Sequence, residues 1–137
     1  MRRPQPVLPA APPAKPLVWI GSSRQDIRDL PREVQAEFGR ALFDAQVGRT
    51  HVKAKPLKGF GGAGVLEVVK IHDGDTFRAI YTVRLAGRVY VLDVFQKKSK
   101  SGVATPKSVI DRIKTRLKRA ELEHQVWLSE THKDKTP

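Results

Sequence analysis

Cysteine is absent from this 137-residue chain, which excludes disulfides and thiolate metal sites. Long apolar runs are missing too, since no stretch approaches the roughly 18 apolar residues of a membrane-spanning helix. Arg2 and Arg3 stand near the start, but proline-rich sequence follows where a signal peptide would need an apolar segment. We therefore expect a cytoplasmic, soluble protein without a membrane partner. The hydrophobic fraction of 39% is enough for one domain with one core.

The usual catalytic groups are also scarce. The four histidines are scattered along the chain without the spacing of metal ligands. No serine stands in a nucleophile elbow, and no pair of acids forms an evident motif. We therefore expect no metal and no cofactor. Lysine and arginine are abundant instead.

Positive charge is what the chain has in excess. The formal net charge is +12, from 26 Lys and Arg against 14 Asp and Glu. Such an excess favours a polyanionic partner, which the charge alone leaves open between nucleic acid, the ribosome, an anionic membrane and an acidic protein. A basic surface without a specific ligand is the alternative interpretation.

The order of apolar and turn residues predicts an α+β domain. Residues 1–15 are rich in proline and predict a disordered arm, residues 16–124 the folded domain, and residues 125–137 a C-terminal extension. The predicted elements are a first strand, an N-terminal helical hairpin, a three-strand meander with a turn at Asp73-Gly74, and a C-terminal helix opened by Thr105-Pro106. This is a small antiparallel sheet, and helices packed on one face would leave its other face free for a ligand.

The stretch from Val89 to Lys107 organises this arrangement. It begins as an apolar, β-branched run typical of a buried strand and ends in Lys97, Lys98 and Lys100, just before the last helix. A rigid strand that carries concentrated positive charge to a sheet edge suits a phosphate-binding site. The loop of residues 50–64 adds further lysines among glycines, although a flexible surface connection explains it as well.

This inventory permits cleavage of RNA, because RNA supplies its own nucleophile in the 2′-hydroxyl. Cations directed at the phosphate stabilise the charge that develops there. A lysine among other cations has a lowered pKa and can exchange protons. The same face is equally suited to binding an anion without reaction.

Three segments carry a resemblance to a known family: KPLKG (55–59), FRAIY (77–81) and VYVLDVFQKKSKSGVATPK (89–107). Over about residues 17 to 122, the chain resembles the phage-derived Gp49-like toxins of the RelE/HigB/ParE superfamily. The resemblance implies a RelE-like fold and ribosome-dependent mRNA cleavage. It also implies a hetero-oligomer with a helix-turn-helix antitoxin. Gyrase inhibition in the manner of ParE and a non-catalytic basic RNA- or protein-binding module remain as alternatives.

The resemblance also implies roles for single residues. Arg78 would brace the scissile phosphate, and Glu67 would orient a basic side chain or pair with a lysine on a neighbouring strand. Tyr81 belongs to the motif, but strand alternation places it opposite Arg78, where a tyrosine is more often a core residue than a catalytic one. The implied catalytic set is Lys58, Arg78, Tyr81, Lys97 and Lys98. The implied RNA-binding set is Lys53, Lys55, Lys58, Lys97, Lys98, Lys100 and Lys107.

Two positions depart from the resemblance. Many relatives have a histidine in the third strand where this chain has Asp93, and an arginine after the acidic position where this chain has Val68. If either group transfers the proton in relatives, activity here would be reduced or would use another side chain.

Overall fold

Three helices and five strands occur in the described residues of the computed structural model, which are 13–62, 64–97 and 105–133. Lys98, Lys100 and residues 1–12 of the predicted arm lie outside the described residues. In chain order the elements are β1 (Leu17–Trp19), α1 (Ser23–Arg28), α2 (Arg32–Gln46), β2 (Lys55–Pro56), β3 (Val65–His72), β4 (Asp75–Thr82), β5 (Val89–Lys97) and α3 (Lys107–Lys133).

The strands form one sheet in the order β1-β5-β4-β3-β2. The α+β class, the meander β3-β4-β5 and the helix pair α1–α2 confirm the predicted fold. The sheet differs from the prediction in being mixed, because β1 pairs in parallel with β5. The short strand β2 was predicted to be loop; it pairs with β3 and places Lys55 beside Glu67.

The predicted turn between β3 and β4 is present. Asp73 and Gly74 both have positive φ, at 50° and 81°, and His72 pairs directly with Asp75. These features define a two-residue hairpin loop with the twist that antiparallel strands favour. The turn fixes the register of β3 against β4, and with it the position of Arg78 relative to Glu67.

Helices cover both faces of the sheet, so the prediction of one free face is wrong. Phe38 of α2 packs with Ala79 and Tyr81 on one face, and Ile113 of α3 packs with Ile80 on the other. The reason lies in β5, where every residue from Val89 to Val94 is buried. A strand that is apolar on both sides needs cover on both sides.

A β-bulge on β5 orients the residue that anchors α3. The register of β5 against β4 shifts between Ile80 and Tyr81. As a result Leu92 and Asp93 both turn toward α3, where Asp93 accepts a hydrogen bond from Arg112 Nε at 2.7 Å. The helix continues to Lys133 and so crosses residue 124, where the sequence predicted the folded domain to end.

Glu37 fixes the segment that precedes β2 onto α2. Its buried carboxylate lies 2.9 Å from Lys53 Nζ and 2.6 Å from Arg40 Nη2. The hydrogen bonds from Lys53 and then Arg40 lower the pKa of Glu37 to about 2. Lys53 is therefore engaged on the α2 side of the sheet.

We expect this carboxylate to make stability depend on pH. The pKa of Glu37 falls from 4.5 to about 2 on folding, so its contribution is complete above pH 4.5 and is lost as pH falls toward 2. Glu37→Gln should therefore lower the melting temperature clearly at pH 6 and much less near pH 2.5. Thermal unfolding is the measurement. An equal decrease in melting temperature at both pH values would show that the stabilisation does not depend on the charge of Glu37.

Candidate phosphate-binding site

A cavity of about 370 Å³ lies between β2, the sheet and the first turns of α3. We call it the cationic cavity. It opens on the same face of the sheet as α3. Its lining residues are Lys55, Pro56, Leu57, Lys58, Glu67, Arg78, Lys97, Thr105 and Ile110.

An ion pair between neighbouring strands forms its floor. Arg78 Nη1 on β4 donates to Glu67 Oε2 on β3 at 2.6 Å, and both side chains are mostly buried. The Nε of Arg78 is buried as well and has no hydrogen-bond acceptor among the described residues. Leaving a buried donor unpaired costs roughly 1–3 kcal/mol. Glu67 thus fixes the Arg78 guanidinium in the cavity lining, with Nε left unpaired.

Lys97 is the last residue of β5 and is only 7% exposed. Desolvation, and secondarily the charge of Arg78, lower the pKa of Lys97 below the usual 10.5, while Glu67 partly opposes the shift. An amine held in this way can accept a proton at a lower pH than an exposed lysine does. The site therefore combines a fixed guanidinium with a lysine suited to proton exchange.

The rim of the cationic cavity adds exposed cations. Lys55 on β2 and Lys58 just after it both line the cavity and are exposed. The structure thus brings four of the sequence-predicted residues to one concavity: Lys55, Lys58, Arg78 and Lys97. The β3–β4 register and the end of β5 place the two inner cations, and β2 places the two outer ones.

The remaining candidates are not brought to this cavity. Lys53 is paired with Glu37 on the opposite side of the sheet, and Lys107 is exposed at the start of α3 without lining the cavity. Tyr81 does not line the cavity, because it is 1% exposed and packs with Phe38 under α2. Burial raises the pKa of Tyr81 to about 12. Lys98 and Lys100 lie outside the described residues.

Tyr81→Phe should therefore leave any activity of the cationic cavity within about twofold of wild type, because the lost hydroxyl lies across the sheet from it. Phosphate or RNA affinity and RNA cleavage are the measurements, with the melting temperature as a check on folding. A loss of tenfold or more in a folded variant would return Tyr81 to the site.

The two positions that depart from the family resemblance are structural here. Asp93 lies 2.7 Å from Arg112 Nε and 3.3 Å from Arg116 Nη1, so it anchors α3. Val68 is fully buried in the core under α2. Neither residue lines the cationic cavity.

Sequence reasoning missed the apolar wall of the cavity. Leu57 and Ile110 form it together with Pro56, and Thr105 adds a hydroxyl. The signal was available, since these residues stand directly beside the lysines of KPLKG and just after the TPK segment. Within the described residues there is no cluster of metal-ligating side chains and no helix long and apolar enough to cross a membrane.

Fold and cavity together define an α+β protein with a cation-lined concavity beside a mixed five-stranded sheet. Residues 25–118 match the model of the family described as phage-derived protein Gp49-like, and the chain belongs to that family. A solved structure with similarity to it is the toxin–antitoxin complex RelBE2 from Mycobacterium tuberculosis, at 19% identity and a TM-score of 0.43. The match covers 64% of this chain and 95% of that chain. No curated protein matches the sequence.

Proposed function

We propose that this protein is the toxin of a type II toxin–antitoxin system and that it cleaves messenger RNA on the ribosome. The observation that carries the proposal is that two cations, Lys97 and Arg78, line one cavity whose rim is formed by lysines. Lys97 is buried, and the Nε of Arg78 lacks an acceptor. The Gp49-like family membership and the net charge of +12 support it further.

The proposed reaction begins with attack of the 2′-oxygen on the adjacent phosphorus. Lys97, as the neutral amine, accepts the proton of the 2′-hydroxyl. Arg78, held by Glu67, donates to a nonbridging oxygen as negative charge grows in the phosphorane. The P–O5′ bond then breaks, a proton from solvent reaches the leaving oxygen, and the products carry a 2′,3′-cyclic phosphate and a 5′-hydroxyl.

Lys55 and Lys58 would hold the flanking phosphates, and the apolar wall of Leu57 and Ile110 would contact a sugar or a base edge. No aromatic side chain lines the cavity among the described residues, so stacking adds little affinity there. A cavity of about 370 Å³ is near the small end of ligand sites. We therefore assign the positioning of the message to the ribosome.

The neutralising partner we propose is a helix-turn-helix antitoxin that forms a hetero-oligomer with this chain. The four cations of the cationic cavity favour an acidic segment, because opposite potentials across an interface steer association. Such a segment would compete directly with RNA phosphate. Co-expression of the protein encoded next to this one should restore growth, and the purified pair should elute as one complex.

A cell-free translation system tests the enzymatic proposal. Added protein should stop synthesis, and primer extension should find cuts in the message only when ribosomes are present. Arg24→Ala, which removes an exposed cation on α1, is the matched control and should act like wild type. A DNA supercoiling assay run in parallel distinguishes RNA cleavage from the alternative function, inhibition of gyrase. Intact message with normal translation at excess protein contradicts the proposal.

A further inference from the structure

The outer side of α3 carries a regular series of exposed residues that the proposed function does not use. They recur every fourth position, so they form one ridge along the helix. Leu122 and Val126 at its centre are 64% and 58% exposed. The ridge lies on the side away from Ile113 and Ala120, which are buried against the sheet. We call it the outer stripe, and its members are Lys114, Lys118, Leu122, Val126 and Glu130.

Charge changes sign along the outer stripe. Lys118 lies on one side of the apolar pair and Glu130 on the other, and neither makes an ion pair with a described residue. Residues 120–132 contain three glutamates but no lysine or arginine, in a chain whose net charge is +12. This part of α3 therefore carries little of the positive charge that makes two copies of the protein repel each other.

We propose that the outer stripe is the contact surface of a homodimer in which two copies of α3 pack antiparallel. A two-fold axis between Leu122 and Val126 places Leu122 of one copy against Val126 of the other. The same axis brings Lys118 opposite Glu130 of the second copy, twice by symmetry. Ridges spaced every fourth residue interdigitate in the commonest class of helix packing.

The order of charges along the stripe favours a second copy of the chain as the partner, and it favours the antiparallel orientation. In a parallel pairing, Lys118 would face a second Lys118 and Glu130 a second Glu130. The antiparallel pairing is self-complementary, as an isologous interface requires. A shallow cavity of about 360 Å³ is lined by Leu122, Val126 and Glu130 of the stripe and by Trp127, over which Arg88 stacks at 4.4 Å from the ring centroid. It can receive an apolar side chain of the second copy, and tryptophan and arginine are frequent at interface centres.

Sedimentation velocity over about 1 to 200 µM protein tests the proposal at roughly physiological ionic strength, where exposed ion pairs are only partly screened. Wild type should shift from monomer toward dimer as concentration rises. Lys118→Glu alone and Glu130→Lys alone each place like charges in contact twice, so each should weaken association about tenfold or more. The double variant Lys118→Glu/Glu130→Lys restores both pairs with reversed sign and should return to within about threefold of wild type.

Val126→Ser tests the apolar centre and should also weaken association, whereas Arg24→Glu on α1 should leave it unchanged. All these positions are exposed, so circular dichroism should show an unaltered fold. A chain that stays monomeric at every concentration overturns the proposal. The proposal is also overturned if the single charge reversals leave association unchanged, or if the double variant does not recover the association of wild type. Because sedimentation requires no ribosome, failure here is independent of the proposed nuclease function.

Discussion

Arg78→Ala should lower ribosome-dependent cleavage by about 10²–10³-fold, the effect of removing one preorganised donor to a developing oxyanion. The structural reason is that Glu67 Oε2 holds Nη1 at 2.6 Å while Nε remains without an acceptor. Arg78→Lys should recover only part of the rate, because an ammonium cannot bond Glu67 and a phosphate in the same fork geometry. Single-turnover cleavage of message on stalled ribosomes is the measurement.

The control for Arg78→Ala must separate chemistry from folding, since the substitution leaves Glu67 buried without its partner. The double variant Glu67→Gln/Arg78→Gln removes both charges together and should melt closer to wild type while remaining inactive. Arg24→Ala removes one positive charge outside the cavity lining and should retain the full rate. Cleavage at the wild-type rate by a folded Arg78→Ala protein would remove Arg78 from the mechanism.

A single Arg78→Gln substitution, which keeps Glu67, should also change the pH dependence of the reaction. Desolvation is the main cause of the lowered pKa of Lys97, and the charge of Arg78 is the second cause. If Lys97 accepts the proton, the rate rises with pH until its amine is neutral. Arg78→Gln removes the repulsion but leaves the burial, so the rising limb should move to higher pH. A shift to lower pH would contradict the role assigned to Lys97.

Asp93→Ala should cost about 3 kcal/mol of unfolding free energy, near the lower end for a buried ion pair that loses one partner. Asp93 is 1% exposed and receives Arg112 and Arg116 from α3. Without it, Arg116 keeps its bond to the Leu92 carbonyl and Arg112 can turn to water, which limits the loss. Denaturant unfolding, with the slope checked for two-state behaviour, is the measurement.

Two further variants serve as comparisons for the loss of unfolding free energy in Asp93→Ala. Asp93→Asn keeps an acceptor of the same shape and should lose about 1.5–2 kcal/mol, near the lower end for a hydrogen bond to a charged group. Glu121→Ala removes an exposed carboxylate from the same helix and should change stability by less than about 0.5 kcal/mol. If Asp93→Ala proved as stable as Glu121→Ala, the contact between β5 and α3 would be held by apolar packing alone.

Local sequence patterns were sufficient to predict those parts of the fold that depend on residues close together in the chain. Asp73-Gly74 specified a two-residue hairpin because both residues tolerate positive φ. Alternation along β4 placed Arg78 and Tyr81 on opposite faces of the sheet, as the structure confirms. Lys97 was correctly placed at the end of the buried strand β5.

Contacts between distant segments could not be predicted in the same way. Lys53 and Lys55 are two residues apart, yet one binds Glu37 across the sheet and the other lines the cationic cavity. Likewise the sequence did not reveal that α3 covers the second face, or that Asp93 anchors it. Which segments meet depends on the packing of the whole chain, and spacing along a single element carries no information about it.

The sequence by itself determined a strongly basic α+β chain with a lysine at the end of its central strand, because charge, hydrophobic period and turn chemistry are local properties. Only the tertiary structure decided which cations share a cavity and that Glu67 holds Arg78. Those outcomes follow from strand register and from which helix covers each face, and both are settled only when the helices pack onto the two faces of the sheet.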